Sequence, residues 1–238
     1  MAHLLFIFCL LLWSTSHVHA SERKKLRFTY VHGLAHGETL HKILSKAYNQ
    51  QGIEIESKPT LGRRSLRLVN DGKLDGELGR VQNAGQQYPN LVIVPVPLMD
   101  LEINAYSTKP IPGIKNWTDL KNKNIGFLIG ILLYDNNTKG YMKTHFHSFP
   151  DLFSSLKRGG IEIAVMEHSN YLFHQTMPLF HSKTNLHSEP LYHYVHQSHQ
   201  PLVKPLSQTL EEMHKSGEID QIYNEVKSKW KNQNKMGK

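Results

Sequence analysis

NDGKLDGELGR, residues 70–80, closes a helical pattern, turns on Gly72, starts a short apolar strand and sets Glu77 and Arg80 close together. Gly72 stands where a helix stop needs a residue free of a Cβ. On its N-terminal side, residues 65–70 carry Leu66 and Val69 on one helical face, and IEIES (53–57) alternates as a strand. Further back, Leu40, Ile43, Leu44, Ala47 and Tyr48 recur at helical spacing until Gly52, and KLRFTYV (25–31) alternates Leu26, Phe28 and Tyr30 as a half-buried strand. On its C-terminal side, NLVIVPVPL (90–98) is apolar enough for a strand covered on both faces. Strands alternating with helices predict βαβ units and mostly parallel sheets, an α/β chain.

The pattern repeats on a smaller scale. Residues 116–130 read as a one-turn helix and a strand, 149–160 as a helix closed by glycines, and 161–167 as another strand. Two helices follow from Leu202: Leu206, Leu210 and Met213 mark one that stops near Gly217, and Ile219, Ile222, Tyr223, Val226 and Trp230 mark the next. With no strand after them, they must pack on a sheet already made.

Ahead of all this stands LLFIFCLLLW (4–13), an apolar run followed by Val18-His19-Ala20. It predicts a secretory signal cleaved after Ala20 and a periplasmic protein. The run is shorter than the ~20 apolar residues of a membrane span, although the lack of a Lys or Arg ahead of it leaves an uncleaved N-terminal anchor as the alternative. Cys9, the only cysteine, falls within it, so the mature chain has neither a disulfide nor a thiol nucleophile. The leader contains no Asp, Glu, Lys or Arg, so the net charge of +8 belongs to the rest of the chain and favours acidic ligands or surfaces. No basic face with interleaved aromatics points to nucleic acid.

LVNDGKLDG (68–76), YPNLVIVPVPL (88–98), WTDLKNKNIGFLIG (117–130), LKRGGIEIAVME (156–167) and LSQTLEEMHKSGEIDQIYNEV (206–226) occur in the order seen in the extracellular solute-binding proteins of family 3, which the chain resembles over nearly its whole mature length. The resemblance implies a type II periplasmic binding protein: two α/β lobes, each a mostly parallel sheet flanked by helices, joined by two hinge strands, with ligand between them. Residues 21–105 and 194–238 would form the first lobe and 106–193 the second, with crossings in AYSTKP (105–110) and SEPLYHY (188–194). Such proteins work as monomers beside an ABC permease or a membrane sensor, without a cofactor and without catalysis.

The resemblance also locates candidate site residues. Amino-acid binders usually place a Ser/Thr-x-x-Arg signature about a dozen residues beyond the position of Asp75, and VQNAGQQYPN (81–90) lacks it. Arg80 is the candidate for the missing anion contact; alternatively it pairs with Glu77 as a structural ion pair. In the second lobe, GGIEIAVME (159–167) has the spacing of G-x-x-D-A-x-x-x-D, whose last acid receives the ligand's ammonium, so Glu167 is the cation acceptor. Gly130-Ile131 replaces the family's Gly-Thr, and His32 and Tyr106 line the cleft or else serve the core or hinge.

Two further classes stay open. A few proteins of this fold are dehydratases of small cyclic acids, and Glu167 in a closed cleft could act as a general acid or base. Sixteen histidines, including HFH (145–147) and His193, His196 and His199 three apart, could hold Zn or Cu, although no acidic partner in the sequence completes a ligand set.

Overall fold

The computed structural model describes residues 25–236. The apolar leader and the cleavage site after Ala20 lie outside them. Elements follow in the order β1 (Lys25–Val31), α1 (His36–Asn49), β2 (Glu54–Thr60), α2 (Gly62–Asn70), β3 (Gly76–Val81), β4 (Leu91–Ser107), β5 (Ile125–Leu128), α3 (Leu132–Asn137), β6 (Lys143–Phe146), α4 (Phe149–Arg158), β7 (Ile163–Glu167), α5 (His168–His174), β8 (Phe180–His181), β9 (His187–His196), α6 (Val203–Lys215) and α7 (Glu218–Met236).

The strands are ordered β2-β1-β3-β9-β4-β7-β5-β6, with β8 pairing β4. β1 runs parallel to β2 and β3, and β5 parallel to β6 and β7. These two parallel sets are the two lobes. They are joined through β4 and β9, which pair antiparallel from Leu91 opposite His196 to Ile103 opposite His187. Two long crossing strands therefore replace a flexible linker.

β4 departs from the expectation of a strand covered on both faces. Val94, Val96 and Leu98 are buried while Pro95 and Pro97 are exposed. Proline cannot donate to the ladder, and the pairing with β9 shifts register on both sides of Pro97. Beyond this kink the strand is covered, from Ile103 to Ser107.

The core divides into three clusters. Leu26, Phe28, Leu40, Ile43, Leu44, Leu78, Val94 and Leu98 form one cluster with α6 and with Ile219 and Ile222. Leu101 touches both this cluster and the one formed by Ile103, Ala105, Ile125, Phe127 and Val165. A third cluster unites Tyr106, α4 and α5 with Val226 and Trp230. Thus α7 begins against the first lobe and ends against the second. Trp230 is also tied to α1, its Nε1 donating to Glu38 Oε2 at 3.0 Å.

Among the described residues no helix is long and apolar enough to cross a membrane.

Candidate functional site

The carboxyl ends of β1, β2 and β3 lie at one edge of the first lobe, where an open α/β sheet presents its loops to a ligand. After β1 the chain turns through Gly33, held at φ +81, and enters α1 at His36. His32 is exposed on this turn and, with Thr60, Leu61 and Arg64, lines a cavity of about 440 Å3 at the start of α2.

At the end of β3, Glu77 and Arg80 are brought together. Residues three apart in a regular strand face opposite sides. Here Glu77 pairs with Tyr194 and Arg80 with Tyr192, so three steps on β3 match two on β9, and this bulge turns both side chains to the same side. Arg80 Nε donates to Glu77 Oε1 at 3.0 Å, and Nη2 donates to Gly62 O at 2.8 Å and Ser65 Oγ at 2.5 Å. Those acceptors all belong to the first lobe. Burial pushes the Glu77 carboxyl up to about 7, against the lowering effect of Arg80, Ser65 and His36. Its Oε2 has no hydrogen-bond partner.

The two glycines of the same segment have packing roles. A Cβ on Gly76 would stand 2.3 Å from Tyr194 O, and one on Gly79 would stand 2.4 Å from Leu40 Cδ1. At both positions the close approach is made by the protein itself.

In the second lobe β7 ends on Glu167, which is buried at 2% exposure. His36 Nδ1 donates to Glu167 Oε2 at 2.8 Å, Asn170 Nδ2 donates to the same oxygen at 3.3 Å, and Oε1 has no partner. Asn170 Oδ1 in turn accepts from Ala35 N at 2.8 Å. The start of α1 thus docks on the start of α5, and the lobes meet at a histidine–carboxylate contact buried on both sides. The hydroxyl of Ser169, also buried there on α5, is unpartnered.

Sequence reading missed His36. Its only signal was the position between Ala35 and Gly37 at a helix start, in GLAHGETL (33–40). The other candidates are dispersed. Tyr106 is fully buried behind Glu167, stacked on Tyr171 with centroids 4.6 Å apart and hydrogen-bonded to His168 Nδ1 at 2.9 Å. Gly130, at φ +87, is exposed before α3. Glu77 and Arg80 are brought together, whereas Arg80 bonds first-lobe atoms and Glu167 bonds His36 and Asn170.

The histidine-rich segments are divided among separate tasks. His199 Nε2 bonds Asp75 Oδ1 at 2.7 Å, His145 Nε2 bonds Asp135 Oδ1 at 2.8 Å, and His196 Nδ1 bonds Ser198 Oγ at 2.8 Å. Among the described residues no group of three His, Cys, Asp or Glu could hold a metal ion.

His193 supports the Glu77 bulge from below. Its Nδ1 donates to Glu77 O at 2.8 Å and its Nε2 accepts from the Tyr48 hydroxyl at 2.9 Å. Because a carbonyl only accepts, the proton is on Nδ1. Burial pushes this imidazole down to about 4. The unfolded chain therefore takes up a proton first as pH falls from about 6.5 to about 4, and stability is lost over that window, by about 3 kcal/mol for the full shift. Glu77 has the opposite sign: its raised folded value makes stability fall as pH rises from about 4.5 to about 7. Urea denaturation across this range should separate them. The stability of His193→Gln relative to wild type should improve on acidification, and that of Glu77→Gln should improve as pH rises. Parallel pH profiles for wild type and both variants would contradict these assignments.

No family model matches the chain. An uncharacterized protein of Shewanella oneidensis is 23% identical over 197 residues, spanning 78% of this chain and 75% of that protein. Among solved structures, an amino acid ABC transporter substrate-binding protein of Streptococcus pneumoniae bound to L-arginine superposes with a TM-score of 0.67 at 15% identity, covering 87% of this chain and 95% of that one. An ancestral amino acid-binding protein, a precursor of cyclohexadienyl dehydratase, gives 0.67 at 16% identity, covering 86% and 96%. The chain has the two-lobed fold of the amino-acid solute-binding proteins.

Proposed function

We propose that the protein is a periplasmic solute-binding protein that captures a small polar metabolite, amino-acid-like, between its lobes and presents it to an ABC permease or a membrane sensor. The observation that carries this reading is the buried carboxylate of Glu167, which reaches the interlobe seam with one oxygen on His36 and the other unpartnered. An unsatisfied buried carboxylate oxygen carries a desolvation cost of about 1 to 3 kcal/mol that an ammonium group would offset. The ligand's acidic end would fall to the first lobe, where His32, Thr60 and Arg64 border a cavity at the same edge of the sheet. Arg80 is the alternative anion contact, available only if it leaves Glu77, Gly62 and Ser65.

A thermal-shift screen of amino acids and organic acids tests the proposal. A ligand at 100 times its dissociation constant adds about 2.7 kcal/mol of stability, enough to raise Tm visibly. The expected hit is a compound carrying an ammonium group. A screen in which only purely anionic compounds stabilise the protein would contradict Glu167 as the cation seat.

Catalysis is the second reading. Glu77, held near 7 by burial, has the protonation balance of a general acid or base at neutral pH. It would have to exchange Arg80 for substrate to act. Turnover of a cyclic hydroxy acid by wild type and its loss in Glu77→Gln would favour this reading.

A further inference from the structure

Within one turn of α1 from the interlobe contact, a cavity of about 370 Å3 lies where β4 and α7 leave the first lobe. Its walls alternate in character. Pro97 and Met99 supply apolar surface over the buried Ile43, Leu98 and Ile219, and Tyr223 supplies an aromatic face with a hydroxyl. Asp100 and Glu102 from β4 and Asp220 from the first turn of α7 also line it. None of these three carboxylates has a hydrogen bond or an ion pair among the described residues. That is unusual company in a chain of net charge +8.

Asp220 has a structural use, since an acid in the first turn favours the helix dipole. Asp100 and Glu102 sit on a strand and have no such use. A second observation is independent of the acids. Thr39, wholly buried on α1, lines the same cavity, and its hydroxyl is without a partner. His214 closes one side, its Nε2 bonded to Pro97 O at 2.6 Å. The acids are not gathered as metal ligands, because no group of three His, Cys, Asp or Glu among the described residues could hold an ion. Carboxylates dispersed around apolar walls suit an elongated organic cation instead, with ammonium groups on the acids and methylenes against Pro97 and Met99.

We propose that this cavity is a second binding site, specific for a short aliphatic diamine. β4, which crosses between the lobes, and α7, which packs against both, form its wall, so an occupant would bridge the start of the second-lobe crossing to the first lobe.

Titration of the protein with 1,4-diaminobutane at low ionic strength tests the proposal. Wild type is expected to bind it, and 1-aminobutane about tenfold more weakly, since one ammonium is lost. Asp100→Asn/Asp220→Asn, altered at two exposed positions, should keep its fold and lose about tenfold or more in diamine affinity. Amide signals of Asp100, Glu102 and Tyr223 are expected to move on titration. Failure of wild type to bind, equal affinity in the double variant, or signal changes centred on His36 and Glu167 instead would each overturn the proposal.

Discussion

Arg80→Ala is expected to lower stability by about 3 to 5 kcal/mol at pH 8, the cost of removing one partner from a buried ion pair. Arg80 serves three first-lobe acceptors, and without it Glu77, fully buried and already lacking a partner for Oε2, would keep no cation beside it. The effect should shrink at pH 5. There Glu77, whose carboxyl sits at about 7, is protonated in wild type as well, so less charge attraction is lost. Arg80→Lys should recover only part of the loss, because a single ammonium cannot reproduce the guanidinium fork. Denaturation in urea at the two pH values measures all of this. Unchanged stability combined with a large loss of ligand affinity would mean instead that Arg80 belongs to the ligand.

Glu167→Gln carries the other large effect. The substitution keeps the shape of the side chain and removes its charge from a site where neighbouring groups are buried. A hydrogen bond to a charged group contributes about 1.5 to 3 kcal/mol, so a ligand ammonium seated on Glu167 should bind roughly ten- to a hundredfold more weakly to the variant. The free protein should change little, since Gln can still accept at the position of Oε2 from His36 and Asn170. Loss of affinity with a preserved Tm separates a ligand contact from a packing role.

Much of the architecture was legible because it is local. Helix α1 declared itself through Leu40, Ile43, Leu44, Ala47 and Tyr48, all of which are buried on one face. The full length of β4 was not legible, since the apolar run reads only to Leu98, whereas the strand continues to Ser107 past the kink in its pairing with β9. β6 and α5 were missed as well: KTHF and HSNYLFH are too short to establish a period. The site followed the same division. Glu77 and Arg80 are neighbours in sequence, but their meeting depends on a bulge set by β9, which lies more than a hundred residues away. Glu167 could be singled out only through the resemblance of its strand to other binding proteins. Its partner His36 is 131 residues distant, and no local pattern links a helix start in one lobe to a strand end in the other.

The most direct measurement is calorimetric titration of the best amino-acid hit into wild type and Glu167→Gln side by side. Binding one molecule per chain in wild type, with affinity at least about tenfold lower in the variant and the fold intact, is the expected result. Equal affinity in the two proteins would contradict capture of the ligand by Glu167 at the seam between the lobes.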